Sequence, residues 1–170
     1  MSLFVSKFNN HLELKDKLIY LINKTSADLF DNENNKVITD YEKDVDFEYK
    51  KVVVPYLLKE IENVLSLSSD LLTKPKQVWF QQYRKDHFHS WHTHDNVQFG
   101  LIYFLKMKNN NYKTQFKQLN GDKIDYNSNE GDVVIFPSYL PHRSPIIDID
   151  REEKIIIGMN FNVLTKNINY

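Results

Sequence analysis

Four of the six histidines of this 170-residue chain fall within eight positions, in HFHSWHTH (87–94). Imidazole is the commonest metal ligand and the side chain most easily tuned near neutral pH, so the cluster raises metal binding first. Residues two apart in an extended segment share a face, which pairs His92 with His94 and, if that segment is also extended, His87 with His89. One such pair holds an ion firmly only if a third ligand arrives from elsewhere. The sequence supplies it in His142, at the end of GDVVIFPSYLPH (131–142). Two ligands on an early strand and one histidine on a late strand form a facial set. Such a set leaves coordination positions open for exogenous ligands, the arrangement that non-haem iron chemistry requires. His87 and His89 sit in RKDHFHS, a turn-like segment, and are read as lining or edging the cleft rather than ligating. His11 stands alone and is read as a surface residue.

The elements that must position these residues change character along the chain. LELKDKLIYLINK (12–24) places Leu14, Leu18, Leu21 and Ile22 at helical spacing, and FEYKKVVVPYLLKEIENVLSLSS (47–69) repeats the pattern through Leu57, Leu58, Ile61, Val64 and Leu65. Pro55 either starts the second helix or kinks it. Residues 27–45, with NENNK, read as a polar loop. After Lys76 the period becomes two: QVWFQQY (77–83) and QFGLIYFLKMK (98–108) are strands rich in aromatic and β-branched residues. TQFKQLNGDKIDYN (114–127) is a hairpin around Asn120-Gly121. EGDVVIFPSYLPH opens on a glycine turn and its strand stops at Pro137. KIIIGMNFNV (154–163) is a final strand. Short strands with tight turns after two helices indicate a closed or double-sheet β architecture. We read residues 1–170 as a single domain, with 1–75 mainly helical and 76–165 carrying the metal site.

Composition narrows the classes. The chain has 41% hydrophobic and 14% aromatic residues and a formal charge of −1, with signs alternating along it. That argues against a partner such as nucleic acid or an anionic membrane surface. There is no cysteine, hence no disulfide framework and no thiolate metal site. No long apolar run marks a signal peptide or a membrane span, and the expected localisation is cytoplasmic.

VWFQQYRKDHFHSWHTHDNVQFGLIYFLK, EGDVVIFPSYLPHRS and EKIIIGMNFNV together resemble the small Fe(II)/2-oxoglutarate-dependent oxygenases related to prolyl hydroxylases, especially the compact forms common in phages and marine bacteria. The resemblance spans roughly residues 77–163, about half the chain. It lies in the order of the motifs: Trp-x-x-x-Tyr, HxH, a Tyr-Phe-Leu strand, GD-strand-FPS-x-x-x-H, then a basic residue before a strand ending in Asn. It implies a mainly β fold, a double-stranded β-helix (jelly roll, cupin-like) with N-terminal α-helices packed outside. It also implies Fe(II) as cofactor, 2-oxoglutarate as cosubstrate, O2 as co-reactant, and a small-molecule or peptide substrate. His92 matches the first iron ligand and His142 the distal histidine. Most relatives place a carboxylate two positions after the first histidine. Here His94 stands there and the carboxylate is displaced to Asp95. A three-histidine site keeps the ion's full charge, and Asp95 reaches the site only if the strand ends or bulges. His94 is the preferred third ligand, with Asp95 as competitor.

In this superfamily a basic residue after the distal histidine pairs with the far carboxylate of 2-oxoglutarate. Lys154 and Arg151 compete for that role. Lys154 shares a strand face with Gly158 and Asn160, a small and polar face suited to lining a cleft, and is preferred; Arg151 lies in the polar connection DIDREE. Tyr83, Tyr103 and Asn160 complete the expected cosubstrate contacts, while Arg143 faces away or rims the pocket. The resulting expectation is an Fe(II)- and 2-oxoglutarate-dependent dioxygenase, a hydroxylase with no catalytic side chain beyond the metal ligands. Two rivals stand beside it: a cupin-type three-histidine metalloenzyme that does not use 2-oxoglutarate, and a non-catalytic jelly-roll binding module. A homodimer through the helices is compatible with the pattern.

Overall fold

The apolar spacing of the N-terminal half forms two helices that cover one face of a curled sheet. The computed structural model describes residues 3–166. In chain order its elements are β1 (Phe4–Lys7), α1 (His11–Asn23), β2 (Asp28–Asp31), β3 (Asn35–Thr39), α2 (Glu48–Val64), β4 (Leu71–Tyr83), β5 (Phe88–His92) and β6 (Phe99–Met107). A 3-10 turn (Asn110–Tyr112), β7 (Gln115–Lys117), β8 (Lys123–Ile124), β9 (Asp132–Pro137), β10 (His142–Ser144) and β11 (Lys154–Thr165) follow. In α1 the buried stripe is His11, Leu14, Leu18 and Ile22; in α2 it is Tyr49, Val53, Leu57, Glu60 and Ile61. Burying each such leucine or isoleucine contributes about 1.5–3 kcal/mol. Pro55 lies inside α2, so it neither starts that helix nor ends it. The helix stops at Val64, short of the expected Ser69, where Ser66 turns to φ 50°.

All strand pairings are antiparallel, in the order β1-β9-β6-β11-β4-β3-β5-β10-β7-β8, with β2 on β3. The sheet rolls up so that its two halves face each other. Phe104 of β6 and Ile156 of β11 share an interior cluster with Val37 of β3 and Phe116 of β7. This is the jelly roll. Its outer layer is formed by Leu101, Tyr103 and Leu105 of β6 and Ile155, Ile157, Met159 and Phe161 of β11, packed against Leu14, Leu18, Leu57 and Ile61. β6 and β11 are therefore apolar on both faces, as central strands covered on both sides must be.

The polar loop expected over 27–45 is instead largely a hairpin. Asn32 Oδ1 accepts from the backbone N–H groups of Asn34 and Asn35, both at 2.9 Å, and makes NENN the turn between β2 and β3. Asparagine side chains that satisfy their own backbone build turns of this kind. The short β-branched run in β3 pairs with β2 along one edge and, along the other, with β4 through Ile38 and Thr39 and with β5 through Asn35 and Lys36. The helical N-terminal part thus also contributes strands to the barrel. Among the described residues no helix is long and apolar enough to cross a membrane.

Candidate metal centre and acid-binding pocket

His92 closes β5 and His142 opens β10, and the two are direct partners across an antiparallel pair. His94 follows in the turn after β5, its backbone N–H held by the Ser138 carbonyl at 2.9 Å. The three rings converge inside the roll. Their centroids lie 4.2 Å (His92–His142), 4.9 Å (His94–His142) and 5.3 Å (His92–His94) apart. One nitrogen from each lies within 4.8 Å of the other two, and His94 Nε2 and His142 Nε2 are 3.1 Å apart. Nitrogens bound about 2.0–2.1 Å from one ion at near-tetrahedral or octahedral angles sit about 3 Å apart, so this last pair has a ligand spacing. Asp95 is exposed and lies outside this cluster.

The donor chemistry fits a divalent ion. His92 Nδ1 faces the Ser90 carbonyl at 2.8 Å and His142 Nδ1 the Leu140 carbonyl at 3.0 Å. A carbonyl only accepts, so both rings carry their proton on Nδ1 and turn the Nε2 lone pair inward, the usual orientation of a metal-binding imidazole. Burial and the neighbouring imidazoles hold the rings neutral: His94 is lowered to about 4 and His142 well below the usual histidine value, and burial also lowers His92. Neutral imidazole is the ligating form.

The remaining histidines separate. His89 stacks flat on His92, with centroids 3.9 Å and planes 17° apart, and lines the same cavity. His87 is buried but does not line it. His11 is not a surface residue. It is buried under the outer layer with Nδ1 2.7 Å from the Tyr103 hydroxyl, and Gly131, at φ 88°, leaves room where a Cβ would come within 2.9 Å of its ring. The same contact corrects the expectation for Tyr103. The tyrosine points outward to Phe8 and His11, away from the histidine cluster, because odd positions of β6 face the helices.

The cluster opens into a cavity of about 1340 Å³, lined among others by Trp79, Gln81, Tyr83, Ser144, Gly158 and Asn160. Lys154 lies behind Tyr83 and Ser144, 1% exposed. Its Nζ donates to the Tyr112 carbonyl at 2.9 Å and to Ser144 Oγ at 2.5 Å, and sits 4.5 Å from the centre of the Tyr83 ring. Among the described residues no carboxylate pairs with it, and burial lowers it to about 7. A buried cation with only neutral partners is costly unless an anion joins it. Arg151, by contrast, is exposed in the turn before β11, at φ 62°. Asn160 is buried on the cavity face of β11 with Oδ1 unbonded. Sequence reasoning missed Ser144, in the three-residue β10, and Gln81, in the long β4, both unremarkable polar residues; only the fold brings them to Lys154 and His89.

Gly158 has a steric duty at this site. A Cβ there would lie 2.6 Å from the Trp79 indole, which stacks at 5.8 Å against His94. Gly158→Ala must push the indole toward His94. We expect a loss of roughly 1–3 kcal/mol in stability, as overpacked cores show, together with weakened metal binding. Thermal melts and metal titration of the variant check both. An unchanged metal affinity would mean that Trp79 can move without carrying His94.

No protein-family model matches this sequence, and no curated protein matches it. Solved structures do. A prolyl-4-hydroxylase from Pseudomonas putida superposes with TM-score 0.64 over 94% of this chain and 91% of its own, at 12% identity. An oxidoreductase of the 2OG-Fe(II) oxygenase family from Burkholderia pseudomallei gives 0.69 over 86% and 77%, at 7% identity. A viral collagen prolyl hydroxylase from Paramecium Bursaria Chlorella virus-1, solved as its 2OG complex, gives 0.58 over 93% and 95%, at 12% identity. The chain has the jelly-roll fold of the 2-oxoglutarate/Fe(II) oxygenases, and at these identities the likeness is one of fold.

Proposed function

We propose that the protein is an Fe(II)- and 2-oxoglutarate-dependent dioxygenase that hydroxylates a small molecule or a peptide. One observation carries the reading. Three inward-facing neutral imidazoles line a cavity, and behind Tyr83 and Ser144 of the same wall lies a buried lysine that has no anionic partner among the described residues. A dicarboxylic 2-oxo acid suits that pair of sites, its oxo-acid end on the ion and its far carboxylate at Lys154. His92, His94 and His142 would hold the iron, Lys154 would take the distal carboxylate, and Tyr83 and Asn160 would shape the pocket between them. The bound iron supplies the redox chemistry that couples O2 and 2-oxoglutarate to substrate oxidation, with succinate and CO2 as coproducts. The chain's part is to fix both ends of the acid and exclude water from the interior of the roll.

Anaerobic titration tests this. Fe(II) followed by 2-oxoglutarate should produce a visible metal-to-ligand charge-transfer band that neither gives alone, and admitting O2 should yield succinate. The absence of a carboxylate from the ligand cluster favours a second reading, a cupin-type three-histidine enzyme whose substrate binds the metal directly. Fe(II) binding without any band on adding 2-oxoglutarate would put that reading first.

A further inference from the structure

A line of side chains runs from Lys154 past Tyr83 to the histidine cluster. An ammonium group only donates. Ser144 Oγ, 2.5 Å from Lys154 Nζ, therefore accepts, and the same ammonium lies 4.5 Å from the centre of the Tyr83 ring. The Tyr83 hydroxyl donates to Gln81 Oε1 at 2.8 Å. With its oxygen engaged, the Gln81 amide turns Nε2 toward His89 Nδ1, 3.2 Å away. An amide nitrogen only donates, so His89 Nδ1 accepts and the proton of the neutral ring sits on Nε2. That is the opposite tautomer to His92 and His142, whose Nδ1 atoms face carbonyls. His89 is thus a fixed donor stacked on an acceptor ring. Among the described residues Gln81 is the one hydrogen-bond partner of its side chain, and the ring lines the cavity.

We infer that His89 is a positioning residue, donating its Nε2–H to the metal-proximal carboxylate of the bound 2-oxo acid while Lys154, at the other end of the same line, takes the distal one. The inference rests on the Fe(II)/2-oxoglutarate reading. It also explains why one of the clustered histidines stays out of the ligand set: its inward nitrogen carries a proton where a ligand needs a lone pair. A neutral donor stabilises an anionic oxygen without adding positive charge beside an ion that has no carboxylate ligand.

Two measurements test it. In protein labelled with 15N-histidine and loaded with Zn(II), His89 should give the Nε2–H pattern, while His92 and His142 give Nδ1–H. His89→Phe keeps the stacked ring and removes the donor; Fe(II) affinity should hold and 2-oxoglutarate binding should weaken roughly tenfold, the loss expected for one hydrogen bond to a charged group. Gln81→Glu is close to isosteric and safeguards against a folding failure. Its carboxylate only accepts, so the His89 proton should move to Nδ1 and 2-oxoglutarate affinity should fall, a coupled change that a purely structural role would not produce. An Nδ1–H tautomer for His89 in the wild type, or unchanged 2-oxoglutarate binding by His89→Phe, overturns the inference alone. Fe(II)-loaded wild type that binds no 2-oxoglutarate overturns the cosubstrate reading and this role with it.

Discussion

His142→Ala is expected to abolish stoichiometric Fe(II) binding. His142 is the central ring of the cluster: it lies between His92 and His94, is 4% exposed, and is fixed by the Leu140 carbonyl and the edge of Phe136. Losing an outer partner of a metal ligand typically costs 10–100-fold in affinity, and losing the ligand itself exceeds that. The expected fall is therefore on the order of a hundredfold or more, read by anaerobic titration or by metal content after gel filtration. His92→Ala should behave alike. His87→Ala should leave the stoichiometry at one, because that ring lies outside the cavity, and so should His89→Phe. A comparison of His94→Ala with Asp95→Ala decides the third ligand. Metal loss confined to His94→Ala fits a nitrogen 3.1 Å from that of His142; loss confined to Asp95→Ala would require the exposed carboxylate to swing inward and would refute the three-histidine set. Circular dichroism and thermal melts of the metal-free variants separate loss of ligation from loss of fold.

Much of the site was legible because β-strand parity is strict. A face carrying Lys154, Gly158 and Asn160 cannot be the face carrying Ile155, Ile157 and Met159, and the second set alone is apolar enough to meet two helices. The same logic failed at Tyr103, for a definite reason. Leu101, Tyr103 and Leu105 alternate with Gly100, Ile102 and Phe104, and both sets are apolar because β6 is covered on both sides. With no polar face to mark the interior, composition could not say which way the tyrosine pointed. β3 was hidden differently. Its partners in β4 and β5, Gln81, Gln82, Phe88 and His89, lie 42 to 54 residues away along the chain, and its one local partner, β2, is only four residues long. His11 followed suit: its burial depends on Tyr103 and Gly131 arriving from distant strands. The contacts that run from Ser144 and Lys154 through Tyr83 to Gln81 are likewise a product of the fold, since β10 is a sheet neighbour of neither β4 nor β11 and meets them only because the sheet curls.

Lys154→Ala is expected to weaken 2-oxoglutarate binding ten- to a hundredfold while leaving Fe(II) affinity nearly unchanged. Hydrogen bonds to charged groups contribute roughly 1.5–3 kcal/mol, and each 1.4 kcal/mol is a factor of about ten. The ammonium group is buried, held by the Tyr112 carbonyl and Ser144, and separated from the histidine cluster by Tyr83 and Gln81, so its removal should not disturb the ligands. Its protonation gives a second signature. In the free protein burial lowers Lys154 to about 7; a bound carboxylate favours the charged form and raises it again. Binding then takes up a proton wherever the pH exceeds the free value. Affinity should be flat below about pH 7 and fall above it, by up to about tenfold per pH unit until the raised value of the complex is reached. In Lys154→Ala that slope should vanish. Arg151→Ala, altering an exposed turn, should change neither affinity nor slope. A large loss in Arg151→Ala with none in Lys154→Ala would reverse the assignment of the anchor. A wild-type slope that persists in Lys154→Ala would place the titrating group elsewhere, with Lys154 reduced to a buried structural donor. Calorimetric titrations of 2-oxoglutarate into the Fe(II)-loaded proteins at pH 6, 7, 8 and 9 distinguish these outcomes, because only an anchoring lysine couples the affinity and its pH dependence in one substitution.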